Sequence, residues 1–215
     1  MTAITPLESI HKKGLFGDHH KKNENDLLKI SEVKDLTIVQ IVRYKKAKIN
    51  LNDIQIDGLE FPLQSPKVSS NKETRILWSG PSTWLVISRR ENIVETIKEK
   101  CSSESFAVTD ISHSRAIIQI KGHQAKDILK KGCPLNFYEF ENNNCGGTVF
   151  HGINIVVDFV DNDPDTFNLL TLRSFGESFY HHITDAALEF GYVGVWTKIY
   201  LITSAKHSQA LTSLL

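Results

Sequence analysis

The segment "RILWSGPSTWLVIS", Arg75 to Ser88, limits the fold more than any other stretch of the chain. Two runs rich in β-branched and aromatic residues are parted only by Ser79-Gly80-Pro81-Ser82, a turn-forming sequence. A link this short brings the second strand back beside the first, so the pair predicts an antiparallel hairpin carrying Trp78 and Trp84. The other apolar runs are equally short. "LTIVQIVRY" (Leu36 to Tyr44), "FAVTDIS" and "AIIQIKG" predict strands, the first β-branched enough to be buried. "TVFHGINIVVDFV" and "FNLLTLRS" predict a further strand pair joined by the turn-rich "DNDPDT", and "VGVWTKIYLI" a last strand.

Three segments follow the helical period instead. "ENIVETIKEK" places Ile93, Val94 and Ile97 on one face, and "HQAKDILKKG" turns Ala125, Ile128 and Leu129 inward before Gly132. "SFGESFYHHITDAALEFG" carries Phe175, Phe179, Ile183, Ala186, Ala187 and Phe190 on one stripe, with Ser174 and Glu177 as a capping box and Gly191 as the stop. The order is therefore α+β, with antiparallel sheets and packed helices rather than a doubly wound sheet. Residues 36–215 read as one such domain. Residues 1–35 are polar and charge-mixed, with Leu15 and Phe16 the apolar anchors of "HKKGLFGDHHKKNEND". They predict an arm that is loosely ordered alone or lies on a partner.

Composition excludes several classes. Lysine plus arginine and aspartate plus glutamate both number 25, so no global field draws the chain to nucleic acid or to an anionic membrane. No apolar run reaches the ~18 residues of a membrane span, and "MTAITPLESIHKKG" lacks the layout of a signal peptide, which points to the cytoplasm. Three cysteines, Cys101, Cys133 and Cys145, are an odd number without paired spacing and read as reduced thiols.

Candidate chemistry centres on "DISHSRAIIQIKG", Asp110 to Gly122, where Asp110, Ser112 and His113 supply the residue types of a hydrolase triad. If this stretch is extended, Ser112 and His113 diverge while Asp110 and Ser112 share a side. A triad needs its nucleophile and base in contact, so the motif reads as a strand end tied down through backbone amides. Arg115 then pairs with Asp110 or reaches a carboxylate on another chain. The nine histidines lack any ligand-like spacing, and "CGG", Cys145 to Gly147, reads as a turn into a strand rather than a phosphate loop. Cys133, beside Lys130 and Lys131, is either activated by them or packed as a small hydrophobe. Trp78 and Trp84 form either an aromatic platform or core and interface anchors.

Three segments carry a family resemblance: "RILWSGPSTWLV", "VTDISHSRAIIQIKGHQAKDILKKGCPLN" and "CGGTVFHGINIVVDFV…DTFNLLTLRSFGESFYHHITDAALEFG". From about Arg75 to Tyr192 the sequence resembles the gamma subunit of heterotetrameric sarcosine oxidase, a family similar to the folate-binding aminomethyltransferases of the glycine cleavage system. The acidic pair that serves the folate reaction in those relatives is missing from "FHGINIVV", with no carboxylate before Asp158. The resemblance implies a non-catalytic subunit of an oxidoreductase acting on CH–NH donors, docked on the alpha subunit beside beta and delta subunits. FAD, FMN, NAD, zinc and tetrahydrofolate would lie on those other chains, which demethylate sarcosine to glycine with hydrogen peroxide and formaldehyde or 5,10-methylenetetrahydrofolate. No catalytic, cofactor-binding or metal-binding residue is expected on this chain. Its motif or interface candidates are Trp78, Trp84, Asp110, Ser112, His113, Arg115, Cys133, Arg173 and Phe175. The alternatives are a free-standing folate-binding or aminomethyltransferase-like protein, and the small subunit of a related N-methyl amino acid oxidase or demethylase.

Overall fold

The computed structural model describes residues 5–20 and 22–196. The first half contains β1 (Gly14–Phe16), β2 (Leu28–Glu32), β3 (Thr37–Arg43), β4 (Gln55–Ile56), β5 (Leu59–Glu60), β6 (Val68–Ser70), β7 (Thr74–Gly80), β8 (Thr83–Ser88) and α1 (Ile93–Lys100). The second contains β9 (Phe106–Asp110), β10 (Arg115–Lys121), α2 (Ala125–Lys130), β11 (Cys145–Phe150), β12 (Ile153–Asn162), β13 (Asp165–Leu172), α3 (Gly176–Ala187) and β14 (Tyr192–Gly194). One sheet runs β1-β14-β2-β10-β13-β12-β11 and a second runs β6-β7-β8-β3-β9, while β4 and β5 form a separate small pair. Among the described residues every strand pair is antiparallel except β14 with β2. This is the α+β arrangement the short links imposed.

Strand alternation sorts the side chains into layers. In β10, Ile118 and Ile120 join α2 and α3 in one core, while Ile117 turns to the opposite face. In β8, Trp84 and Val86 pack with Ile93 and Ile97 of α1, while Leu85 and Ile87 face the other way. Ile117, Leu85 and Ile87 meet in a third cluster with Ile38, Leu77 and Leu170, so the two sheets lie back to back with helices on the outer faces. The same alternation turns Arg75 of β7 and Asp158 of β12 into this inner layer. There Arg75 Nε donates to Asp158 Oδ2 at 2.9 Å and Nη2 donates to Oδ1 at 2.6 Å, both side chains sealed from water.

Several sequence expectations are corrected. Residues 1–35 are not a loose arm over their described part: β2 lies between β14 and β10, and Leu7, Leu28 and Ile30 are core residues. The strand escaped notice because much of "LKISE" is polar and its Glu32 finds partners outside the strand, among them the Thr5 hydroxyl, the Leu7 amide and the Lys34 ammonium. "TVFHGINIVVDFV" is two strands, since His151 and Gly152 adopt positive φ of 45° and 83° and reverse the chain between β11 and β12. "CGG" is the start of β11 itself, not a turn. The Ser174–Glu177 capping box does not form, because a 3-10 turn over Arg173–Phe175 makes Phe175 the residue before α3 and leaves it without a side-chain cap. Phe175 is consequently exposed, whereas Phe179, Ile183, Ala186 and Ala187 form the buried stripe. Gly191 ends the helical segment at φ 68°, where a Cβ would stand 2.6 Å from the Asp18 carbonyl oxygen. The last predicted strand begins at Tyr192 as β14, and its part beyond Trp196 lies outside the described residues.

Because Arg75→Met leaves Asp158 charged and unpaired between the sheets, it is expected to cost about 3–5 kcal/mol in urea unfolding. The double variant Arg75→Met/Asp158→Leu recovers most of that loss.

Candidate functional site

The "DISHSR" motif is the corner at which the chain leaves one sheet for the other. Asp110 ends β9 in the five-stranded sheet, Ser112–Ser114 form a 3-10 turn, and Arg115 opens β10 in the seven-stranded sheet. The stretch is therefore not extended as its sequence suggested. The reason is local: Asp110 Oδ1 accepts from the Ser112 amide at 2.9 Å, a bond from i to i+2 that favours a turn. The Ser112 hydroxyl donates to the same oxygen at 2.5 Å and accepts from the Ile38 amide of β3 at 2.9 Å. Its single proton is thus directed to Asp110, leaving none for His113 as a general base. The Ser112 hydroxyl and then the Ser112 amide hold the Asp110 carboxyl below the usual carboxylate range, against a smaller opposing effect of burial. Asp110 and Ser112 work as the structural tie, now drawn across the corner to a third strand.

Beyond the tie lies a cavity of about 180 Å³ that Ser112, His113, Arg115 and Arg173 line together, with Glu32 and Lys34 on its wall. Arg115 does not pair with Asp110. Its Nε is buried without a hydrogen-bond partner, and desolvation pushes the guanidinium below its usual range. Glu32 does not neutralise it either, because that carboxylate already takes the Thr5 hydroxyl, the Leu7 amide and the Lys34 ammonium at 3.3 Å. Thr5, Glu32 and Lys34 were not legible as site residues. They are polar positions in a charge-mixed segment, and only the pairing of β2 with β10 brings them here.

The remaining candidates lie apart. Trp78 and Trp84 are opposite each other on the hairpin and share an open hollow of about 470 Å³ with Arg43 and Leu63. Trp84 is a core residue whose Nε1 donates to the Pro62 carbonyl at 2.7 Å, so its surface is not free to anchor a partner. Cys133 is buried near the Thr148 hydroxyl, while Lys130 and Lys131 are committed to Asp127 and Glu189. That is the small-hydrophobe role rather than the activated one. Burial raises the Cys101 thiol to about 11, and burial together with Asp158 raises Cys145 to about 12. Among the described residues no three His, Cys, Asp or Glu side chains gather as a metal site, and no helix is long and apolar enough to cross a membrane.

Two back-to-back sheets with outer helices and a polar-tied corner define an α+β domain of the folate-binding-like type. The glycine cleavage system aminomethyltransferase T from Bartonella henselae superposes with a TM-score of 0.58 at 9% identity, over 83% of this chain and 56% of that one. The chain belongs to the sarcosine oxidase gamma subunit family, whose model matches residues 48–189. Sarcosine oxidase subunit gamma from Corynebacterium sp. strain U-96 is 31% identical over 138 residues, and that from strain P-1 is 28% identical over 137. The chain spans 66% of the length of each of these relatives, and the matches take in 62% of its own. A chain of the heterotetrameric sarcosine oxidase from Corynebacterium sp. U-96, in complex with pyrrole 2-carboxylate, superposes with a TM-score of 0.73 at 21% identity, over 88% of this chain and 97% of that one.

Because the carboxyl of Asp110 is lowered, its tie adds stability above the ordinary carboxylate pKa of about 3.9 and loses it as pH falls through the lowered value. Asp110→Asn should therefore melt below the native chain at neutral pH, and the gap should close on acidification. Thermal melts across that range check it. In the native chain at pH 8, Cys101 and Cys145 should resist a thiol-specific disulfide reagent and react fully after unfolding, since burial holds both in the thiol form.

Proposed function

We propose that this chain is the non-catalytic gamma subunit of a heterotetrameric sarcosine oxidase. The observation that carries the reading is the superposition over 97% of a chain of such an enzyme, joined to membership of the gamma family. The chemistry of the motif supports it. The serine of the would-be triad is saturated by Asp110 and Ile38, so the residues most like a catalytic cluster are spent on tying the corner turn to the edge of the five-stranded sheet.

The reaction of the whole complex would convert sarcosine, oxygen and water into glycine, formaldehyde and hydrogen peroxide, or pass the methyl carbon to tetrahydrofolate as 5,10-methylenetetrahydrofolate. FAD, FMN, NAD, zinc and the folate would be held by the alpha, beta and delta subunits. The gamma chain would contribute a folded surface for assembly, with alpha its direct neighbour. Three buried unpaired cysteines are consistent with a reducing compartment and support placement in the cytoplasm.

Co-expression with the other subunits tests this. The chain should co-purify with them at fixed stoichiometry and with sarcosine-dependent peroxide formation. Asp110→Ala and His113→Ala should lower the yield of assembled complex while turnover per bound flavin stays unchanged. A large fall in that turnover would return the motif to catalysis, and a chain that stays monomeric and binds tetrahydrofolate unaided would overturn the assignment.

A further inference from the structure

We propose that the cavity lined by Arg115, His113 and Arg173 is a docking pocket for an acidic side chain of a partner subunit, with the Arg115 guanidinium as counter-charge. This rests on the gamma-subunit reading and adds to it where contact is made and by what chemistry.

The argument begins with the cost of Arg115. A guanidinium removed from water must be compensated by hydrogen bonds or an opposite charge. Arg115 is partly buried, its Nε is closed to water and unpartnered, and among the described residues it forms no ion pair. Compensation from inside the chain is therefore missing on the Nε edge. The closed Nε is out of a guest's reach, so a counter-charge meets the guanidinium at its outer Nη groups, from the cavity that Arg115 lines, whose volume of about 180 Å³ leaves room for an aspartate or glutamate side chain. Arginine offers such a carboxylate two parallel N–H donors, a geometry that one bound water does not reproduce.

The charge of the wall agrees with an acidic guest. Lys34, Arg115 and Arg173 give three positive charges against two negative ones from Glu32 and Asp35, and Glu32 is already held by Lys34, Thr5 and Leu7.

Exposed apolar side chains stand beside the cavity: Leu172 lies opposite Arg115 in the pairing of β13 with β10, and the ammonium of the lining Lys34 stands 4.5 Å over the exposed ring of Trp196. Exposed apolar groups next to a partly buried arginine match the composition of a binding hot spot. A small free acid would use the arginine and leave these groups uncovered.

The test compares the native, Arg115→Gln and Arg115→Lys chains in binding to the other subunits of the complex, at low and high salt. Arg115→Gln should weaken binding by about 30-fold or more, chiefly through faster dissociation, and Arg115→Lys should recover part of the loss as a point charge. Unchanged affinity of Arg115→Gln would overturn the pocket while leaving the gamma-subunit reading intact. Failure of the native chain itself to bind would overturn both. Thermal melts of the isolated chains guard against a folding effect: Arg115→Gln should match or exceed the native melting temperature, because no internal partner is lost. A drop of several degrees would show Arg115 paired within its own chain and overturn the proposal. Saturable acetate binding in an NMR titration of the isolated native chain, abolished by Arg115→Gln and well below millimolar, would make the pocket a small-acid site and overturn it as well.

Discussion

Arg75 and Asp158 face each other from different sheets, and their bidentate contact sits where the two sheets are otherwise joined by aliphatic side chains. A dispersion contact tolerates sliding, whereas a guanidinium clasping a carboxylate at two points does not. The pair therefore helps to fix β7 against β12, together with the backbone bonds that the Val68 amide makes to the Asn143 carbonyl and the Cys145 amide to the Pro66 carbonyl. It is reinforced on both flanks. Asn143 Oδ1 accepts from Arg75 Nη1, and Asp158 lies opposite Asn168, which in turn accepts from Gln119 across β13 and β10. Each polar group in this row has its partner within the layer, which is the condition for burying it at all.

The corner built by Asp110 and Ser112 solves a related problem at the other end of the layer. A chain that leaves one sheet for the next must break off one ladder and begin another, leaving backbone groups unpaired. The Ser112 hydroxyl takes the Ile38 amide, Asp110 takes the Ser112 amide, and the Ile111 amide donates to the Ile38 carbonyl at 2.8 Å. Residues that resemble a triad are used up in this closure. The same corner also opens the cavity in which Arg115 and Arg173 converge, so one piece of backbone engineering both joins the sheets and shapes a basic recess on the surface.

Legibility followed the range of the signal. The hairpin around Gly80 and Pro81 and the faces of α1 and α2 were readable because their partners lie within a few residues, where period alone decides which side is apolar. The bond from the Ser112 amide to Asp110 was readable for the same reason, whereas the one that the Ser112 hydroxyl accepts from the Ile38 amide, 74 residues away, was not. β2 was not, since its hydrogen-bonding partners come from residues 115–121 and 192–194 and its polar half gains partners only in the fold. The division of 148–160 into two strands was hidden because His151-Gly152 is a turn that the flanking apolar residues disguise as a single run. The sequence left Trp84 open between platform, core and interface anchor because a tryptophan in a hairpin has two faces, and the fold shows it packed on Phe61 and bonded to the Pro62 carbonyl.

By itself the sequence determined the class of the protein: short β-branched runs with brief links admit antiparallel sheets and exclude a doubly wound one, and the motif from Asp110 to Arg115 carries the family. Which sheet each strand joins, that Arg75 finds Asp158 rather than water, and that the buried Nε of Arg115 has no hydrogen-bond partner among the described residues were decided by tertiary structure. These are pairings between groups far apart in the chain, and the free energy of burying a charge depends on what the whole fold brings beside it.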